Sequence, residues 1–236
     1  MRKAFEQKLD QLSIEMNDTA HQQFEEYYQQ LVEWNKVMNL TAITDMDQVI
    51  EKHFVDSLSI INAIDLQSTH SLIDVGTGAG FPGIPIKIAF PHVNIVLLDS
   101  LNKRVTFLEY LIQKLDLDNI QAIHSRAEDA AKRADLRESF DISTSRAVAN
   151  LSTLSEYCIP FTKKGGVFIS YKSGNIDEEL EQSKKAINIL GGSIENHIKF
   201  QLPDSEINRS FIVIRKNKST DRKYPRKAGL PGRDPL

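Results

Sequence analysis

Only one of the 236 residues is a cysteine, Cys158. A single thiol excludes an internal disulfide and any zinc site built on paired thiolates. The plain reading of Cys158 is a small buried residue in a helix. Long apolar runs are also missing. The longest are strand-like pieces such as NIVLLD, far short of the roughly 20 residues that a membrane-crossing helix needs. The amino terminus, MRKAFEQKLDQL, opens on a basic pair but spreads its charges through a helical pattern and lacks the apolar core of a secretory signal, so a cytoplasmic protein is expected. The chain has no basic excess either: its net charge is −3. Residues 215–236 nevertheless carry eight Lys or Arg against Asp221 and Asp234, a local +6 that leaves −9 for the rest. An acidic body argues against broad polyanion binding. The charge of the tail alone leaves open whether it holds a phosphate backbone or is a solvated face. No internal repeat or low-complexity segment is present.

What is present divides into three stretches: a helical extension over 1–66, an α/β domain over 67–216 and a basic tail over 217–236. In the first, Ala20, Phe24, Tyr27, Leu31 and Met38 recur at three- and four-residue spacings and form one apolar stripe. Thr44 with Asp47 resembles a capping box opening a further helix through QVIEKHFVDSLSIINAI. From Ser71 short apolar strands alternate with helical segments, the pattern of a mainly parallel sheet covered on both faces. SLIDV, NIVLLD, IQAIH, FDISTS and GVFISY are the expected strands. PGIPIKIAF, LNKRVTFLEYLIQKL, EDAAKRADL and NLSTLSEYC are the expected crossover helices. A further helix, IDEELEQSKKAINIL, precedes two strands around SIENHIKF and RSFIVIRK, whose short connection requires an antiparallel pair. Five parallel strands closed by an antiparallel hairpin is the seven-stranded, Rossmann-like class I methyltransferase layout. The tail, with three prolines and two glycines in TDRKYPRKAGLPGRDPL, is expected to be irregular.

LIDVGTGAGFPG sets Gly76, Gly78 and Gly80 directly after the first strand, where backbone must turn tightly and approach a ligand. Gly78, Gly80 and Gly83 also satisfy G-x-G-x-x-G, so a dinucleotide site is the competing reading. Three features favour S-adenosylmethionine: Asp74 two residues before Gly76, Pro82 and Pro85 at the start of the helix, and no second mononucleotide-binding half. Proline removes an N–H donor that pyrophosphate would use. Asp74 suits the ammonium of a methionine moiety, and loop amides suit its carboxylate. Asp99, ending the second strand, suits the ribose hydroxyls of an adenosine. SRAED after the third strand puts Ala127 and Glu128 where an adenine and its exocyclic amine would lie; a helix N-terminal charge is the alternative for Glu128.

The fourth strand carries DISTSRAVAN rather than the Asn/Asp-Pro-Pro-aromatic motif of exocyclic-amine methyltransferases, and Cys158 is the sole candidate for a pyrimidine-attacking nucleophile. A ring nitrogen with a free lone pair is then the attractive target, since it needs placement rather than a general base. Arg146 follows this strand and suits an acceptor edge such as that of guanine, or an ion pair with Asp141 or Glu128. Lys172 and Arg209 are weaker candidates for phosphate contact, and His53, Asp56 and Arg104 weaker still. No catalytic residue and no metal ligand is assigned.

With these residues in hand, the chain resembles the glucose-inhibited division protein B (RsmG) family, bacterial methyltransferases of small-subunit ribosomal RNA. The likeness runs through WNKVMNLTAIT, HFVDSL, LIDVGTGAGFPGIPIKIAFP, LLDSLNKRVTFLEYL, RAED, STSRAVANL and YPRKAGLPGRDPL. It implies methylation of N-7 of a guanosine in the 530 loop of 16S rRNA, within the ribosomal small subunit or its precursor, with S-adenosylmethionine as cofactor and with streptomycin resistance on loss of activity. Carried over by position, it implies cofactor contacts at Gly76, Phe81, Ala127, Glu128 and Arg146. The residues alone read Phe81 as packing against the loop. A small-molecule methyltransferase on the same fold and a noncatalytic RNA-binding assembly protein are the competing functions.

Overall fold

A computed structural model describes residues 2–146 and 149–236. Its centre is one seven-stranded sheet in the order β3-β2-β1-β4-β5-β7-β6. The strands are β1 (Ser71–Val75), β2 (Asn94–Asp99), β3 (Ile120–His124), β4 (Phe140–Ser145), β5 (Thr162–Lys172), β6 (Gly192–Gln201) and β7 (Asn208–Lys216). The first five run parallel, and β7 lies antiparallel between β5 and β6. The expected layout therefore holds. Residues 202–207 are too few for a crossover, so β7 must return against β6.

Alternate side chains of the central strands feed two separate cores, as a two-residue period requires. Leu72, Ile95, Leu97 and Ile142 join the core beneath α5 (Gly83–Ala89) and α6 (Asn102–Lys114). Ile73, Val75, Val96 and Leu98 join the other, beneath α7 (Ala127–Ala130), α8 (Leu151–Cys158) and α9 (Asp177–Ile189). Cys158 is buried in α8, where its environment is apolar and its thiol is pushed well above the usual range by burial.

The N-terminal helices share the first core. In α1 (Arg2–Gln11), Phe5 meets Phe24 of α2 (Asp18–Met38), and both meet Phe54. Ala20, Phe24, Tyr27 and Leu31 are buried along one face of α2, while Met38 at its end is half-buried against the core. The helix starts at Asn17, whose side chain accepts the Ala20 N–H, and ends on Asn39 in the left-handed conformation.

Two local expectations change. The cap of α3 (Met46–Val49) is Asp45, which accepts the Gln48 N–H; the Thr44 carbonyl instead takes the Tyr28 hydroxyl. Helix α3 runs on into a π-helical turn (Ile50–Val55), α4 (Asp56–Leu58) and a 3-10 turn (Ser59–Asn62). EDAAKRADL forms only the single turn α7. Arg137 donates to the Ala131 carbonyl, an acceptor that a continuing helix would reserve for the amide four residues on.

The tail is docked. Thr220, Tyr224 and Pro231 are buried, Arg137 donates to the carbonyls of Thr220, Asp221 and Tyr224, and a short last helix, α10 (Leu230–Arg233), lies beside α8. Among the described residues, no helix is long and apolar enough to cross a membrane, and no cluster of His, Cys, Asp or Glu could hold a metal.

Candidate functional site

The loop after β1 is held to the end of β2. Gly76 and Thr77 donate their N–H groups to the Leu98 carbonyl at 2.8 and 3.1 Å, and Gly78 N–H donates to Asp99 Oδ2 at 2.9 Å. Gly78 has φ +63°, and a Cβ added there meets nothing within 4 Å, so the residue borders open space. Gly83 is required for a different reason: its Cβ would lie 2.3 Å from Leu97 Cδ2, inside the helix–strand contact. The G-x-G-x-x-G match therefore mixes a turn glycine with a packing glycine.

Asp74 is fully buried under this loop. Its Oδ2 accepts the Thr77 hydroxyl at 2.6 Å and the Gly83 N–H at 2.9 Å, whereas Oδ1 has no partner among the described residues. Burial raises its pKa to about 6 despite these donors. An acid so placed is completed by a donor, preferably a cationic one.

At the carboxyl ends of β1, β2, β3 and β4 a cavity of about 210 Å³ is lined by Gly76, Asp99, Ala127, Glu128, Ser145 and Tyr157, among others. This is where an open α/β sheet binds its ligands. Asp99 is partly committed: Oδ1 accepts the Leu101 N–H, and Oδ2 accepts Arg104 Nη1 at 3.4 Å besides Gly78 N–H. Arg104 thus supports the loop's anchor and does not line the larger cleft described next. Glu128 is buried, and its Oε1 accepts the N–H of Gly229 in the tail at 2.7 Å.

A second, more open cleft of about 680 Å³ adjoins the first, and Ala149 lines both. His53 and Asp56 from one segment, and Arg146, Lys172 and Arg209 from three others, line it together with Lys52. Arg146 pairs with neither Asp141 nor Glu128. Its Nη1 donates to Asp56 Oδ2 at 2.8 Å and to the Lys52 carbonyl at 3.1 Å, while Arg209 Nε donates to Asp56 Oδ1 at 2.8 Å. Asp141 instead pairs with Lys163 and Ser71. One buried carboxylate therefore bridges two arginines. Lys172 donates to Glu179 Oε1 at 2.6 Å and to the Ala149 carbonyl at 2.9 Å.

Phe81 lines neither cavity. Its ring stacks on Tyr27 and His53, and the Arg146 guanidinium carbon lies 5.1 Å from the ring centroid. His53 is pushed down to about 4, by burial first and then by Arg146. His53 Nδ1 lies 3.1 Å from both Arg146 Nη2 and the Lys52 carbonyl, and its Nε2 lies 2.9 Å from Thr41 Oγ1. His53 is a neutral spacer between Arg146 and the N-terminal helices.

The model of the family described as rRNA small subunit methyltransferase G matches residues 20–208. The chain belongs to this family. It is 51% identical over 232 residues to the ribosomal RNA small subunit methyltransferase G of Lachnoclostridium phytofermentans, covering 98% of this chain and 96% of that relative. The Bacillus subtilis protein of the same name is 49% identical, with 98% and 97% covered. Among solved structures, Pyrococcus horikoshii TYW2 in complex with MeSAdo gives a TM-score of 0.55 at 14% identity, over 71% of this chain and 63% of that one. The Bacillus subtilis YcgJ protein gives 0.53 at 14%, over 71% and 100%. Those distant structures share the fold, and family membership agrees with the resemblance carried by the glycine block and the tail.

Sequence reasoning missed Asp56 as a bridge and Glu156 as the tail's anchor. Asp56 lies 90 residues from Arg146 and 153 from Arg209, and Glu156 lies 70 from Arg226. No local spacing signals such pairs.

Proposed function

We propose that the chain transfers a methyl group from S-adenosylmethionine to N-7 of a guanosine in the 530 loop of 16S rRNA, acting on the small subunit or its precursor in the cytoplasm. The observation that carries this reading is the pairing of a small cavity at the strand ends with an adjoining cationic cleft, in a chain of the rRNA methyltransferase family.

The residues fit the cofactor. Asp74 has a buried oxygen without a partner, suited to the methionine ammonium directly or through water. Gly76 and Gly78 leave main chain exposed beside it, and Asp99, Ala127 and Glu128 line the space suited to ribose and adenine. Phe81 belongs with this set as the residue that backs Arg146. Bound S-adenosylmethionine supplies an electrophilic methyl group. Arg146 lines the larger cleft, suited to the O6 edge or a phosphate, with Lys172 and Arg209 as further phosphate contacts.

The acids of the cleft support a reaction without an obligatory general base. Asp56 is held by two arginines and Glu179 by Lys172, and His53, pushed down to about 4, is a weak base. N-7 of guanine carries a lone pair and no proton, so positioning suffices. The test is transfer of labelled methyl from S-adenosylmethionine to small-subunit particles lacking the modification, with the product nucleoside identified by chromatography. Labelled 7-methylguanosine is expected. Another labelled nucleoside would overturn the target, and no transfer despite cofactor binding would overturn the activity.

A further inference from the structure

Glu128 lines the smaller cavity with one oxygen already taken. Its Oε1 accepts the Gly229 N–H at 2.7 Å, across 101 residues of chain, while no described residue donates to Oε2. The donor is itself held on both sides. Three residues earlier, Arg226 clasps the fully buried Glu156 of α8: Nη2 reaches Oε2 at 2.7 Å, Nε reaches Oε1 at 3.0 Å, and the Arg226 main-chain N–H reaches Oε1 at 2.7 Å. Arg226 Nη2 also donates to the Asp234 carbonyl at 2.7 Å. Two residues after Gly229, the Pro231 carbonyl accepts the Thr153 hydroxyl at 3.0 Å. Gly229 has φ +80°, a turn that directs its N–H inward.

We propose that the tail is a positioning strap for the cofactor site: by fixing Oε1 of Glu128, the Gly229 N–H aims Oε2 at the exocyclic amine of adenine, so selection of adenine over hypoxanthine depends on residues 226–236. The proposal rests on the reading that this cavity takes adenosine with its adenine beside Glu128. An ionised carboxylate only accepts hydrogen bonds. It therefore matches the amine of adenine and opposes the 6-oxo group of hypoxanthine. A buried polar group of fixed orientation discriminates such a pair far better than an apolar wall does. Released from Gly229, the carboxylate is free to rotate about its last torsion and to be rehydrated, and the discrimination falls. Gly229 acts through Glu128, and Arg226 acts through Gly229.

The experiment is calorimetric titration of S-adenosylhomocysteine and S-inosylhomocysteine into three proteins: the full chain, a chain ending at Pro225, and full-length Glu128→Gln. The full chain is expected to prefer the adenine compound by about tenfold or more, the scale of one hydrogen bond to a charged group. The shortened chain is expected to lose most of that preference through weaker binding of the adenine compound. In Glu128→Gln the Gly229 N–H retains the amide oxygen and turns the amide NH2 toward the base, so the preference inverts. A tail that merely braced the fold would weaken both compounds alike on truncation. A shortened chain that keeps the full preference overturns the strap. If the shortened chain does not fold, Glu128→Gln decides alone, and absence of inversion overturns the proposal. A full chain with no preference would instead refute the placement of adenine beside Glu128, and the strap with it.

Discussion

At the residue scale the site is organised by buried carboxylates whose partners define their roles. Asp74 and His53 titrate in opposite directions, which gives a prediction with a definite sign. Burial raises Asp74 from 3.8 to about 6, so the native state holds its proton more tightly than the unfolded chain, and this contribution to stability is lost as pH rises through about 6. His53 falls from 6.5 to about 4, so the native state holds its proton less tightly, and stability rises with pH over about 4 to 6.5. The two oppose each other over pH 4–6. Urea denaturation across that range is expected to show a steeper rise with pH than wild type in Asp74→Asn, and a fall relative to wild type in His53→Gln; unchanged slopes would refute the assignments. S-adenosylhomocysteine affinity is expected to strengthen as pH rises through about 6 in wild type and to lose that step in Asp74→Asn. Gly78→Val sets a β-branched residue at φ +63° with its side chain in open space beside the loop. It is expected to lower stability by about 1–2 kcal/mol while reducing cofactor affinity at least tenfold. Calorimetry on the folded variant checks this, and normal binding would remove Gly78 from the site.

At the element scale, the helices of the N-terminal extension were readable because their signals are local. Asn17 caps α2 through the Ala20 N–H, and Asn17→Ala is expected to cost about 1 kcal/mol in urea denaturation with cofactor binding unchanged. Helix α5 depends on an adjacency between elements instead. Gly83→Ala pushes a methyl to 2.3 Å from Leu97 Cδ2, and such overpacking is expected to cost about 1–3 kcal/mol. A neutral result in thermal unfolding would mean that α5 can shift outward. The shortened α7 belongs to the same scale. Its sequence reads as a longer helix, but Arg137 draws the segment into the tail's anchorage, and that partner lies more than 80 residues away.

At the scale of the whole molecule, the positive charge of residues 215–236 divides by partner. Arg215 pairs with Glu195, and Lys216 and Arg226 turn inward to Glu138 and Glu156, whereas Lys218, Arg222, Lys223, Lys227 and Arg233 remain exposed. A basic terminus on an acidic body suits local contact with an RNA backbone. With Lys218, Arg222, Lys227 and Arg233 replaced by Gln, methylation of small-subunit particles is expected to fall less steeply with salt than in wild type. The log–log slope should flatten by about 0.7–0.9 for each phosphate that the tail no longer neutralises. Cofactor affinity should not change, because the inward pair stays intact. An unaltered salt slope would remove the tail from RNA contact.

The sheet, its terminal antiparallel pair and the glycine loop followed from the sequence because each rests on short-range regularities: alternation of apolar residues, connections too brief for a crossover, and glycines at a strand end. Asp74, Asp99 and Glu128 could be placed at the strand ends for the same reason. What tertiary structure alone decided is which charges meet. Asp56 bridging Arg146 and Arg209 and Glu156 held by Arg226 join distant segments, as does the main-chain hydrogen bond that ties Glu128 to Gly229. A long charged side chain has many potential partners of opposite sign along 236 residues, and one of them becomes its partner only when folding removes both from water at the same place.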